Sequence, residues 1–277
     1  MKTQEKQQIA NQVLRIANGT SQNRVAKRVG TSSATISQII NGNWDLIKDS
    51  MWRKIKVKLK IELNWVTVET KMFKKLNQLV TIAQKRQLTV AFSHQAGTGK
   101  SELFNHYHST GSNVIYVEGN RTMSKKTYIK RLLNSIGHEA IGTTQELNEK
   151  FIDVVSELKN PVIIIDQFDK LKDGPFDLFM DFYNELFNHC GFVISGVPAL
   201  RKRIINGVNK QKIGYDEIWS RMNRKFIELP QVCFDDVKLI FEANGVQDEE
   251  TIHTSYNCCE GDLRRVRQDV MKYQLNN

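Results

Sequence analysis

The most specific chemistry in this 277-residue sequence lies in eight consecutive residues, His94-Gln95-Ala96-Gly97-Thr98-Gly99-Lys100-Ser101. They align to the phosphate-loop pattern G-x-x-x-x-G-K-[ST], directly after an apolar run ending at Phe92 and before a segment with helical spacing. Glycines at 97 and 99 let backbone N–H groups wrap phosphate oxygens, and the start of a helix adds its positive end. In such a loop Lys100 meets the β- and γ-phosphates, and the Ser101 hydroxyl is a Mg²⁺ ligand. The expected ligand is ATP with Mg²⁺, cradled by His94, Gln95, Ala96, Gly97, Thr98, Gly99, Lys100 and Ser101. His94 stands where the pattern has its first glycine.

A second piece of the same chemistry follows 66 residues after Lys100, where Val162-Ile163-Ile164-Ile165-Asp166 reads as a buried strand ending in a carboxylate. A carboxylate at the C-terminal end of a strand beside the phosphate-loop strand can hold Mg²⁺ through water, so Asp166 joins Ser101 as the expected metal pair. The next position normally carries an acid that orients the attacking water. Here it is Gln167, whose amide hydrogen-bonds water but accepts no proton. Two readings follow: an ATP-binding switch with slow turnover, or hydrolysis that survives through Asp169 or through water positioning alone.

These groups must be positioned by a core, and the sequence supplies one. Residues 71–230 alternate helical segments with short apolar runs at Leu88–Phe92, Val114–Val117, Val162–Ile165, Phe192–Ser195 and Phe226–Leu229, the signature of a parallel sheet with crossover helices. The clearest helices are 101–108, 125–136, 145–158 and 176–188. After Pro230, segments 237–243 and 261–275 read as a small helical lid. Ahead of the core, Ile9, Val13, Leu14 and Ile16 fall at helical spacing and Gly19 ends that helix. Ser21 caps a second helix through Val29, Gly30 turns the chain, and Ser32 or Ser33 caps a third, carrying Ile36, Ile39 and Ile40. Residues 44–63 read as one or two basic amphipathic helices. The expected units are 1–63, a helix-turn-helix domain; 64–86, a linker leading into a helix; 87–230, the nucleotide-binding core; and 231–277, the lid.

Charge separates the units sharply. Residues 1–86 hold 17 Lys and Arg against 5 Asp and Glu, a net +12, while residues 87–277 hold 23 against 25. The excess therefore lies in the front third, and it points to a polyanion, with nucleic acid the leading partner. Ser33, Thr35, Ser37 and Gln38 on the third helix can reach base edges or phosphates of double-stranded DNA, with Arg24, Lys27 and Arg28 on the backbone. The alternative is a small helical bundle used for protein contacts. Cys190, Cys233, Cys258 and Cys259 show no metal-ligand spacing and read as reduced, mostly buried thiols. No run is long enough for a membrane span, so no membrane partner is expected and the location should be intracellular.

Phosphate loop, Asp166 strand, a polar residue ending the next strand and a helical lid together resemble an AAA+ ATPase. The resemblance implies a fold: α/β, an AAA+ P-loop NTPase with a parallel sheet and small helical lid, preceded by an all-α helix-turn-helix domain. It implies roles as well: Ser195 as the sensor at the end of the fourth strand, Arg221 in Ser220-Arg221-Met222-Asn223-Arg224 as the arginine finger reaching a neighbouring subunit, with Arg224 in reserve, and Arg264 in Gly261-Asp262-Leu263-Arg264 contacting nucleotide in cis. The helix-turn-helix ahead of so compact a core is similar to phage Mu transposition protein B and the related TnsC and IstB-type transposition ATPases. That resemblance implies a cytoplasmic, bacterial or phage-encoded protein that assembles on duplex DNA as a homo-oligomeric ring or helical filament, selects target DNA and delivers it to a transposase. In related filament-forming ATPases the loop after the second strand faces DNA, which here means Arg121, Lys125 and Lys126. The competing expectations are a helicase loader of the DnaC or IstB-like replication class and a transcription repressor with an ATP-sensing domain.

Overall fold

Polar caps and left-handed turns divide the front of the chain into short helices. A computed structural model describes residues 1–276. Helix α1 (Thr3–Gly19) is followed by α2 (Gln22–Val29), whose first turn is capped by Ser21 Oγ accepting from the Arg24 amide. Gly30, at φ 71°, takes the left-handed conformation that suits glycine and turns the chain toward α3 (Ser33–Ile40). Ser32, rather than Ser33, caps α3 by accepting from the Thr35 amide. The basic segment beyond it forms a single helix, α4 (Asp49–Lys58), tied to α1 by Lys6 at 2.9 Å from Asp49. Ile9, Val13, Val25, Ile36, Ile39, Trp52 and Ile55 form the buried centre of this unit.

Thr70 caps α5 (Lys71–Arg86), which leads into β1 (Thr89–Ser93). The core continues as α6 (Lys100–Thr110), β2 (Val114–Glu118), α7 (Lys125–Ser135), α8 (Thr144–Ser156), β3 (Val162–Asp166), α9 (Asp173–Glu185), β4 (Gly191–Gly196), α10 (Pro198–Asn209) and α11 (Tyr215–Arg221). A lid of α12 (Phe234–Ala243), α13 (Glu249–Cys259) and α14 (Leu263–Asn276) completes it. All strand pairs are parallel, in the order β1-β4-β3-β2. Strand β3 is buried along its whole length: Ile163 and Ile165 face the layer of α7, α8 and α9, and Val162 and Ile164 face α5 and α6. A strand covered on both faces explains its unbroken apolar run.

Two sequence expectations are corrected here. Residues 226–229 form no strand among the described residues; Ile227 donates one backbone hydrogen bond to Ala91 O at 2.8 Å and no ladder follows. Past α11, Asn223 and Arg224 are both left-handed (φ 56° and 50°) and turn the chain back toward β1. Nor is Asp166 beside the phosphate-loop strand, because β4 lies between β1 and β3.

The front unit is docked on the core, and Arg24 is the bolt. Its Nε donates to Ser135 O at 2.6 Å and its Nη2 to Val114 O, while His108 Nδ1 meets the same Val114 oxygen at 3.0 Å. Arg24 is buried, and desolvation pulls its pKa down to about 10, which leaves it charged at neutral pH. Arg24 is therefore not available to a DNA backbone; a cation placed against two carbonyls at a helix end and a strand start satisfies groups that would otherwise be orphaned. Lys27, exposed, faces Glu139 at 3.8 Å, and Arg28 is half-buried with its pKa lowered to about 10 by desolvation. Of the four cysteines, all free, Cys190 and Cys259 are buried, Cys233 is half-buried and Cys258 is exposed. No described helix is long and apolar enough to cross a membrane.

His108 is enclosed at this joint, and burial, with Arg28 and Arg24 nearby, holds its pKa well below the ordinary 6.5. Its folded form therefore resists a proton that the unfolded chain accepts. The stability it contributes is complete above about pH 6.5 and is lost as the pH falls, by up to about 1.4 kcal/mol per pH unit. Thermal melts between pH 7.5 and 5.5 should show this decline, and His108→Gln should flatten it.

Candidate nucleotide site

The residues between β1 and α6 form the predicted loop. Gly97 and Gly99 have φ of 80° and 93°, the left-handed values that make the loop possible. His94 extends the strand pairing by donating its amide to Gly196 O at 3.1 Å. Its imidazole is buried, and desolvation followed by the charge of Lys100 lowers its pKa, so it is neutral and adds no charge to the loop. Lys100 Nζ is folded onto the carbonyls of His94, at 3.0 Å, and Gln95. These are the bonds it would exchange for phosphate oxygens.

Ser101, the second residue of α6, donates its hydroxyl to Asp166 Oδ2 at 2.5 Å. This side-chain bond, from the first turn of the helix packed on β2 and β3 to the end of β3, joins the two predicted metal residues. Asp166 is 1% exposed, and burial pushes its carboxyl up, opposed by hydrogen bonding from Ser101, Ser195 and the Gln167 amide. Ser195 lies beside it at the end of β4, fully buried, with its Oγ short of a hydrogen bond of good geometry. A buried carboxylate, a hydroxyl and an unsatisfied second hydroxyl fit a hard cation that completes its shell with phosphate oxygens and water, as Mg²⁺ does. Ser101 and Asp166 would hold it, and when bound it would neutralise charge developing on the phosphates. Among the described residues no cluster of three or more His, Cys, Asp or Glu offers another metal cage.

A cavity of about 500 Å³ opens from this loop. Its other walls are Thr70 and Phe73 at the start of α5, Trp65 to Val68 from the segment before it, and Leu263, Arg264 and Arg267 from the lid. The segment 64–70 is thus more than a spacer: Trp65 and Val68 pack into the lid's apolar core, and Asn244 exchanges hydrogen bonds with Val66. Arg267, which carries no motif, stacks on Trp65 at 4.8 Å and pairs with Glu62. The lid rests on the loop itself. Leu263 donates its amide to Gly97 O at 2.9 Å, and any Cβ at residue 97 would collide with the Asp262 carboxylate.

Other expected residues distribute unevenly. Arg264 lines the cavity, where its charge depresses the Lys100 pKa alongside the larger effect of desolvation. Arg221 and Arg224 do not line it. Arg221 lies over Tyr183 at 5.1 Å and near Glu217 at 3.7 Å, and Arg224 pairs with Asp216 at 3.0 Å. Asp169 is occupied structurally, its Oδ1 accepting from the Val197 amide at the start of α10, at 3.2 Å. Gln167 lines the cavity in the left-handed conformation, φ 54°, with its side chain tied to Glu118 and Lys170. Glu118, at the end of β2 and in register with Asp166, was signalled only by its place one strand from the metal carboxylate.

On the surface, Ser33 is exposed and Thr35, Ser37 and Gln38 are half-exposed on α3. In the loop after β2, the buried Met123 and the Asn120 side chain, which accepts from Thr122, hold a turn from which Arg121, Lys125 and Lys126 project into solvent.

The fold and site define a P-loop nucleotide-binding unit of the AAA+ type carrying a helix-turn-helix unit in front. Comparison with protein families agrees: residues 72–204 match the family model described as an AAA domain, and residues 13–66 match the one described as a helix-turn-helix. No curated protein matches the chain. The two matches together support ATP-dependent DNA binding.

Lys100→Ala should lower nucleotide affinity at least about 100-fold, since a charge-assisted phosphate contact and the loop's own ties are lost together. Titration of a fluorescent ATP analogue measures this; retained affinity would refute the assignment of the loop. Gln167→Glu should raise the hydrolysis rate about 10-fold or more by restoring a proton acceptor, as read by phosphate release.

Proposed function

We propose that the protein is an ATP-gated regulator of transposition, which oligomerises on duplex DNA, selects a target and delivers it to, or activates, a transposase. The observation that carries this reading is the joint between the two units. A helix-turn-helix is bolted through Arg24 to the nucleotide core, and the chain between them walls the nucleotide cavity, so ATP and DNA address one rigid body. Gln167 adds to it. Without an acid at that position, bound ATP serves to hold an assembled state longer than it serves as fuel. The arrangement resembles that of phage Mu transposition protein B, and that resemblance supplies the transposase as partner.

In this reading α3 presents Ser33, Thr35, Ser37 and Gln38 to the duplex, and Arg121, Lys125 and Lys126 neutralise phosphates without reading sequence, as a protein that accepts many targets requires. Ser195 senses the phosphates through Asp166, and Arg264 contacts the nucleotide from the lid. Arg221, lying outside its own cavity, is available to a neighbouring copy, where an always-charged guanidinium suits a γ-phosphate.

Anisotropy with a labelled duplex should show affinity increasing with ATP and falling steeply with salt, and negative-stain microscopy should show rings or filaments. Monomers whose DNA affinity ignores ATP would refute the proposal. Arg221→Ala should abolish assembly while changing monomer nucleotide affinity less than about threefold.

A further inference from the structure

The segment between the front unit and α5 walls the cavity, yet its hydrogen bonds go to the lid and not to the sheet that carries the phosphate loop. Asn244, which ends α12, takes both backbone groups of Val66: its Oδ1 accepts from the Val66 amide at 2.9 Å, and its Nδ2 donates to Val66 O at 3.1 Å. The same Nδ2 donates to Ile240 O, one turn back in α12, at 2.8 Å. Asn244 O accepts from Gln274 Nε2 of α14 at 2.7 Å. One buried residue therefore joins two lid helices to the segment.

A side-chain amide that satisfies the N–H and the C=O of one residue imitates the double exchange between paired strands, and it fixes that residue in rotation as well as position. The grip on Val66 is made by backbone, for its side chain is 53% exposed. On either side Trp65 and Val68 pack into the lid's apolar interior. At the far end the buried Asp236 of α12 accepts from the Lys71 amide at 2.7 Å and from the Cys233 amide at 3.2 Å, capping the start of α5 from the lid. Among the described residues, no hydrogen bond from 64–69 reaches an element between β1 and α11. Mechanically the segment is part of the lid.

The cavity has two chemically different ends. Lys100, Ser101 and Asp166 mark the phosphate end in the core, whereas Val66, Val68, Phe73 and Ile240 give the remainder apolar walls suited to a planar base. Thr67 lies between Val66 and Val68 in the same wall, and its backbone N–H and C=O have no partner among the described residues. Where those two groups stand depends on the peptide that Asn244 holds.

We propose that Asn244 is a positioning residue that fastens the 65–68 wall to the lid, so that wall and lid close on the nucleoside end of the ligand as one body while the core holds the phosphates. The nucleoside then contributes affinity through a wall whose place Asn244 sets, and the phosphates do not depend on it. The inference rests on the reading of this cavity as the ATP site.

The test compares two ligands of the full chain, ATP and inorganic tripolyphosphate, each with Mg²⁺. Asn244→Ala should weaken ATP about 10-fold, the worth of two ordinary hydrogen bonds, and change tripolyphosphate affinity less than about twofold. Equal losses for both ligands would mean that Asn244 only stabilises the fold, and unchanged ATP affinity would mean that the wall needs no pin; either result overturns the proposal. Hydrogen exchange on wild type gives a second measurement that requires no folded variant. On adding ATP, residues 64–70 should slow together with α12 and α14, and slowing of the lid alone would overturn the single body. A wild-type protein that binds neither ligand refutes the nucleotide-site reading itself.

Discussion

Asp166 sets the terms for the core. A carboxylate at the end of a strand covered on both faces is expensive to bury unless neighbouring dipoles and hydroxyls compensate it. The compensation comes from the Ser101 hydroxyl, the Gln167 amide and the neighbouring Ser195. Ser101 can reach it only if α6 begins where it does, which fixes Lys100 on the helix's first residue and the glycines of the loop just before it. Around it, Glu118 at the end of β2 lies level with Asp166, and β4 lies between the phosphate-loop strand and β3. The site's geometry is thus the means by which one charge is made tolerable, and a cation with phosphate oxygens completes what the protein's own groups begin.

Around this centre the lid and the segment before α5 form a second layer of control. Val232, Val237, Phe241, Ile252 and Val266 give the lid its own apolar interior, yet Trp65 and Val68 from the connecting segment pack against it. A change in lid position would be felt by that segment, and through Glu62 and Arg267 by the end of the front unit. The nucleotide cavity is therefore enclosed by three parts of the chain that are far apart in sequence, and its shape depends on all of them.

Much of this was legible in the sequence, for physical reasons that also explain what was not. The phosphate loop, the Asp166 strand and the capped helices around Gly30 are local: their dihedrals, periodicity and caps depend on neighbours within a few residues. Residues 226–229 have the composition of a strand, but only Ile227 makes a backbone bond to β1, so composition alone did not decide the pairing. Arg24 reads as one more surface cation because nothing local distinguishes it from Lys27; only the docking of α2 on the core shows that it faces Ser135 and Val114. Glu118 and Arg267 belong to no pattern, since their partners lie 49 and 205 residues away. Asp169 looked like a spare acid until its bond to the Val197 amide gave it a structural task.

The fixed seating of α2 has a geometric consequence. A recognition helix on a loose tether can swivel, so neighbouring copies could meet the duplex at any angular phase. Here α3 turns directly off a helix whose arginine is locked into the nucleotide core, and it has no comparable freedom. In a row of copies, the rise and twist from one recognition helix to the next would be dictated by how the nucleotide cores stack. In the proposed assembly, the period at which copies touch the double helix would then be a property of the nucleotide-binding half.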